Sequence, residues 1–412
     1  MPRIIPFKAV RPTRSKVGLV ASRPYESYTA EERESRMHYN PFSFLHIINP
    51  GYKFDQVITG EERYRLVKNR YLEFKEEDVF LQDEKPSFYV YKIINRDNFE
   101  FSGIIALAHA EDYENNLIKK HEDTLKQREE TFKTYLQNVG FNAEPVLVTH
   151  KDNQIVSDLI KQVQTQFADY EFTMTYRDTH YLWKLEDEDI IVKIQQEFKN
   201  IGVFYIADGH HRCASSHLLY LEEKSKNPIH TGTEPYNYFM CFFLPESHLR
   251  IYEFNRLIKD LNGLTTKEFL IRLDEYYKIE NFGKKPFQPS NMHEFSMYLE
   301  GEYYALKLRL SKYEFISSLD HLDAHILFKT VLQPILGIND LRQDKRIEYA
   351  NGRYDVYKLK SMVDNGEFKL SFGLFPTNIN QVKAIADEGL TMPPKSTYIL
   401  PKLRSGLTIY EF

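Results

Sequence analysis

Two cysteines and one tryptophan in 412 residues leave no material for a multi-bridge disulfide framework. Cys213 falls in an expected helix and Cys241 in an expected strand, so both read as buried thiols, which suits a reducing compartment. No apolar run approaches the roughly 18 to 20 residues that cross a bilayer as a helix. Met1 to Val10 mix charge with Pro2 and Pro6 and lack the apolar stretch and small-residue cleavage site of a secretion signal. A cytoplasmic protein without a membrane partner is expected. An excess of either charge is also absent: 54 Lys and Arg against 59 Asp and Glu give a net charge of -5. That balance argues against a polyelectrolyte partner of nucleic acid and still allows phosphate binding at one place. The chain has no GxxxxGKS or GxxxxGKT phosphate loop, no GxGxxG fingerprint and no protein-kinase motif set. A nucleotide site here needs another architecture.

What the sequence has in quantity is rings: 29 Tyr and 29 Phe supply nearly all of a 14% aromatic fraction. Each ring carries large apolar area, so a core can form with fewer aliphatic side chains. Tyr64, Val67, Tyr71 and Phe74 recur at helical spacing and predict a helix over 61–77. Strands are expected at 87–95 and 99–109 about a turn at Asp97 and Asn98, then a long polar helix over 114–137. Further along, the pattern predicts a strand Val203 to Ala207, a helix Ala214 to Leu221, a buried strand at 236–245, and helices at 322–335 and 378–388. Strands and helices alternate without a short repeat, which reads as an α+β or mixed α/β fold of interleaved segments. The expected division is an N-terminal α/β region contributing to the site, 1–135, a core segment with the sharpest motif, 136–255, and a C-terminal α/β region returning to the core, 256–412.

That motif is Asp208-Gly209-His210-His211-Arg212. Four polar groups in five residues after an apolar strand are costly to bury unless a ligand or a dense hydrogen-bond network satisfies them. For phosphoryl transfer the roles divide naturally: Asp208 accepts a hydroxyl proton, His210 or His211 orients or donates to phosphate, and Arg212 offers a forked contact to phosphate oxygens. Gly209 lets the backbone come close. The bland alternative is a turn stapled by a salt bridge. Zinc is disfavoured, because adjacent side chains in one turn rarely complete a tetrahedral site. A second cluster, His121-Glu122-Asp123-Thr124, offers Glu122 as a Mg²⁺ ligand or acid/base group and His121 as a phosphate donor; its bland reading is a solvated helix face. Lys395, Ser396 and Thr397 in MPPKSTYILPK form a compact donor group for phosphate, or else a surface turn. Arg23 and Tyr25 are candidate contacts to an acidic substrate, and His46 is either a substrate contact or a satisfied core histidine.

Taken together, PYE at 24–26, NPFSFLH at 40–46, HEDT at 121–124, DGHHR at 208–212 and GLFPTNINQVKAIADEGLTMPPKSTYILPKLRSGL at 373–407 resemble the domain of unknown function 1015 family. DGHHR also resembles the phosphate-handling motif of the ParB/sulfiredoxin superfamily, which includes kinases of free L-serine. The resemblance implies a ParB/sulfiredoxin-like core and transfer of a phosphoryl group from ATP or ADP, with Mg²⁺, to the serine hydroxyl, giving O-phosphoserine. In that analogy Asp208 deprotonates the hydroxyl while histidine and Arg212 stabilise the phosphoryl group; Glu122 is carried over less securely. Sulfiredoxin chemistry is disfavoured, since His210 stands where that motif has cysteine. A partition-type clamp would need a DNA-binding region that the sequence does not display. A noncatalytic nucleotide or phosphometabolite sensor using the same residues is the alternative. Homo-oligomerisation is left open.

Overall fold

The computed structural model describes residues 1–353 and 356–412, and its chain divides into two compact units that are both discontinuous in sequence. Unit 1 comprises Met1–Lys119, Thr124–Leu249 and Pro401–Phe412; unit 2 comprises Lys120–Asp123 and Arg250–Leu400. The 135/136 position lies inside the helix Lys126–Val139 of unit 1.

Unit 1 is organised by a nine-stranded mixed sheet. Its order runs Ile118–Lys119, Phe204–Asp208, Val146–His150, Tyr238–Pro245, Glu100–His109, Phe88–Ile94, Thr179–Leu185, Tyr170–Thr173, with Ile4–Ile5 continuing one edge of Glu100–His109. The central strands read as near-continuous apolar runs because both faces are covered. One face packs on the amphipathic helices Gln154–Gln164 and Glu188–Ile201 through Leu159, Val163, Ile191 and Ile194, in one core with Phe204, Phe243, Cys213 and Cys241. Both thiols are buried, as the sequence led us to expect. A second cluster holds the helix Gly60–Glu76 through Tyr64, Val67, Tyr71 and Phe74, the four ring and branched positions whose spacing announced it.

Two expectations need correction. No single helix spans 114–137: a short helix Ala110–Glu114 ends near Asn116, which takes a left-handed φ of 57°. Ile118–Lys119 then pairs in parallel with Phe204 and Tyr205, and a helix resumes only at Lys126. A long-range strand partner has overridden a local helical pattern, and HEDT accordingly lies outside helix. The helix after DGHHR likewise begins at His210, not Ala214, and runs to Lys226.

Unit 2 is built on a six-stranded antiparallel sheet in the order Tyr277–Gly283, Glu302–Leu308, Glu294–Leu299, Leu370–Leu374, Phe254–Ile258, Ile347–Asn351. One face carries the main core, with Ile258, Phe295, Leu306 and Phe372 against Leu327, Val331 and Ile385. The opposite face is smaller, with Leu257, Tyr298 and Ala350 against Leu359 and Val363. The helix foreseen at 322–335 is Asp323–Leu327 continued by a π-helical turn, Phe328–Leu332, and that foreseen at 378–388 is Ile379–Asp387. No helix among the described residues is long and apolar enough to cross a membrane.

Candidate functional site

Asp208 ends the strand Phe204–Asp208, and Gly209 precedes the first turn of the 17-residue helix His210–Lys226. The strand is apolar because it is buried; the chain must then turn abruptly to start the helix, and Gly209 does so at a φ of 97°. A Cβ there would come within 2.9 Å of the Arg212 guanidinium, which folds back over the glycine. Arg212 donates through Nη2 to Asp208 Oδ2 at 3.1 Å and through Nη1 to the Pro145 carbonyl at 2.7 Å, and it pairs with Glu144. Lys402 Nζ reaches the other carboxylate oxygen, Asp208 Oδ1, at 2.9 Å. Burial works to raise the Asp208 carboxyl, but the Lys402 and Arg212 charges outweigh it and hold the group below its ordinary value. His210 is buried and His211 half-buried in the first turn of the helix.

Other motifs of unit 1 connect to this cluster through hydrogen bonds. Glu144 Oε2 accepts from Ser405 Oγ at 2.8 Å, Ser405 pairs through its backbone with Ser22, and the Ser22 and Ser43 hydroxyls lie 3.2 Å apart. The segments around Arg23, NPFSF and the carboxy-terminal RSG thus share one network with Arg212. Arg23 lies between the rings of Tyr28 and Tyr176, 4.1 and 4.4 Å from their centroids, and pairs with Glu32 at 3.0 Å. These groups line a cavity of about 300 Å³ with Arg36, Tyr39 and Thr175. Tyr25 is exposed, its ring under Arg33. His46 Nε2 lies 3.0 and 3.1 Å from the Met37 and Asn40 carbonyls, the geometry of a histidine that closes its own loop.

In unit 2, HEDT meets the proline-rich turn directly. The Met392 N–H donates to the His121 carbonyl at 2.8 Å, and Thr391 Oγ1 donates to Asp123 Oδ2 at 3.0 Å. His121 is fully buried and Glu122 half-buried. Lys395 is exposed at a φ of 54°, whereas Ser396 and Thr397 are buried, and Ser396 Oγ donates to the Pro393 carbonyl. Among the described residues no group of three or more His, Cys, Asp or Glu is disposed to hold a metal ion. A Mg²⁺ carried on nucleotide phosphates asks less of a protein, one or two carboxylates, which Glu122 and Asp123 are of the right type to provide.

Sequence reasoning missed Lys402, Glu144, Arg404 and Ser405. Arg404 is buried and donates through Nε to His180 Nε2 at 3.2 Å, so the other imidazole nitrogen carries the proton toward the Tyr91 oxygen, 2.7 Å away. The sequence signal was the basic KLRSG run, which lies inside the 373–407 motif already singled out, with Lys402 closing MPPKSTYILPK.

Comparison with known proteins gives remote structural likenesses. A mutant free serine kinase in complex with AMP is 14% identical, covering 74% of this chain and 91% of its own, with a TM-score of 0.37. A conserved hypothetical protein from Pyrococcus furiosus is 13% identical over 73% of this chain and 91% of its own, with a TM-score of 0.34. A truncated SbnI from Staphylococcus aureus is 13% identical over 74% and 85%, with a TM-score of 0.36. No curated protein matches the chain. The model of the family described as protein of unknown function (DUF1015) matches residues 4–325, three of the quoted motifs and DGHHR among them, while the motif at 373–407 lies beyond it. The chain belongs to the DUF1015 family.

Proposed function

We propose that the protein is a small-molecule kinase with a ParB/sulfiredoxin-like core that transfers a phosphoryl group from ATP or ADP to the hydroxyl of free L-serine. The serine oxygen forms a bond to the terminal phosphorus of the nucleotide, the bridging P–O bond breaks, and ADP or AMP leaves as O-phosphoserine forms. The observation that carries this reading is the placement of Asp208 at a strand end, beside a left-handed glycine and the start of a long helix, between Arg212 and Lys402. A helix start with cations around it is suited to an anion.

The carboxyl of Asp208, held low, is ionised at neutral pH and is a weak base. Its role is to orient the serine hydroxyl and take its proton late, which a loose phosphoryl-transfer transition state permits. Gly209 lets backbone approach phosphate, His210 and His211 donate to its oxygens, and Arg212 and Lys402 offset its charge. Arg23 contacts the substrate carboxylate, with Tyr25 and His46 shaping that side. For the nucleotide, His121, Lys395, Ser396 and Thr397 are the proposed phosphate contacts and Glu122 the acid/base group and Mg²⁺ ligand. The metal, when bound, would neutralise charge on the phosphates.

The test supplies purified protein, Mg²⁺, labelled serine and either nucleotide, and follows product by phosphorus NMR. O-phosphoserine is expected; its absence with both nucleotides would sink the assignment. Asp208→Asn is expected to lower turnover by about 10²- to 10⁴-fold with the fold kept. One observation favours the sensor reading: the Arg212 fork and both Asp208 oxygens are occupied by protein partners. Stabilisation by nucleotide without product would select it.

A further inference from the structure

We propose that unit 2 carries an anion-binding site of its own, in which Arg256 and Lys395 flank Phe254 and take the phosphate group of a small phosphorylated ligand. It extends the proposed phosphate role of Lys395 by a residue that no motif contains. Arg256 lies in the strand Phe254–Ile258, second from the sheet edge, paired on one side with Tyr349 and on the other with Phe372. It is 1% exposed.

A buried guanidinium ordinarily has a carboxylate beside it. Here the guanidinium spends one nitrogen, Nη1, on the Phe254 carbonyl two residues back, and its carbon sits 5.3 Å from the Tyr349 ring centre. Among the described residues, Nε and Nη2 have no hydrogen-bond partner. Those two donors share one edge of the planar group, the edge that grips two oxygens of a phosphate or carboxylate at once. The cost of this arrangement is visible in the charge itself: burial pushes Arg256 down to about 10, with Tyr349 alone opposing it.

Lys395 supplies the second cation. Its Nζ stands 5.5 Å from the centre of the Phe254 ring, and Phe254 is two residues from Arg256, hence on the same face of the strand. Among the described residues, neither Arg256 nor Lys395 makes an ion pair. Lys395 is exposed and held in the left-handed region, an uncommon conformation for lysine, so it marks the open side of the site. Two uncompensated cations, one with a forked edge, match a phosphate monoester better than a singly charged carboxylate.

Inorganic phosphate is the probe, read by thermal unfolding and by calorimetric titration of the full chain against chloride at equal ionic strength. Phosphate is expected to raise the melting temperature of the wild type. Arg256→Met keeps the apolar stem and removes the unpaired charge, so it should melt higher than wild type in chloride, with at least about tenfold weaker phosphate binding. A phosphate response in Arg256→Met as large as in wild type would overturn the site. Should that variant not fold, Lys395→Met at the surface answers the same question: a reduced response supports the site and an unchanged one removes it. Acetate stabilising as strongly as phosphate would overturn the ligand class. Lys402→Met, which removes a cation from the Asp208 cluster, should retain the response; losing it would place the anion at DGHHR instead. Failure to make O-phosphoserine leaves these readouts untouched, so the two proposals fail separately.

Discussion

At the scale of single residues, Asp208 is defined by what surrounds it. Its side chain is about one-third exposed, as is that of Lys402, so their bond is worth roughly 0.5–1 kcal/mol, not the larger value of a buried pair. The pH consequence has a definite sign. A carboxyl held below its unfolded value of about 3.9 adds stability above that pH, and the contribution disappears as pH falls toward the folded value. Lys402→Met removes one of the two charges that hold the group down. Its acid unfolding should therefore begin at higher pH than in wild type, and any pH-rate profile limited by Asp208 should move its acid limb upward. Coincident acid midpoints for the two proteins would show that Lys402 does not set the Asp208 charge.

Among elements, the short helix Asp323–Leu327 offers a cleaner titration. Asp323 is buried at its first position; Oδ1 accepts from the His293 N–H at 2.9 Å, and Oδ2 has no hydrogen-bond partner among the described residues. Burial pushes the carboxyl up to about 7 against that hydrogen bond, and Glu294 adds repulsion. Folding therefore takes up a proton between about pH 4 and 7, so stability declines as pH rises through that window and stays reduced above it. Asp323→Asn should be more stable than wild type by about 1–3 kcal/mol at pH 8 and nearly equal to it at pH 4 in urea unfolding. A gap of the same size at both pH values would remove the titration argument.

Elements also explain what could be read from sequence. The helix Gly60–Glu76 was legible because its packing requirement recurs every three or four residues. The stretch 114–137 misled because Ile118 and Lys119 answer to Phe204 and Tyr205, far along the chain. DGHHR announced itself through polarity after an apolar strand, yet its partner Lys402 lies 194 residues away and carries no local mark of the pairing. Arg256 was silent for another reason: a lone arginine in a strand reads alike whether its face is solvated or covered, and only its place in the sheet, paired with Tyr349 and Phe372, reveals its burial.

On the scale of the whole molecule, the last twelve residues decide whether unit 1 is complete, since Pro401–Phe412 returns to it after unit 2 has been traversed. Ile409 is fully buried and exchanges backbone hydrogen bonds of 2.8 and 2.9 Å with Val10. Tyr410–Glu411 pairs with Phe141–Asn142, and Glu411 accepts from Tyr71 at 2.7 Å and pairs with Lys75 at 2.8 Å. The same segment delivers Lys402 to Asp208, so stability and site assembly are tied to one stretch of chain. Ile409→Ala should cost about 2–5 kcal/mol, the range for emptying an aliphatic position in a closed core. A chain ending at Leu400 should lose more, because it forfeits the strand pairing and the Glu411 contacts as well. Hydrogen exchange separates this from general loosening: amides of Gly60–Glu76 and of Val10–Pro12, which pack or pair with the tail's neighbours, should lose protection before those of the six-stranded sheet in unit 2. Equal loss across both sheets, or an Ile409→Ala protein that melts with the wild type, would mean that the tail only decorates a unit already closed without it.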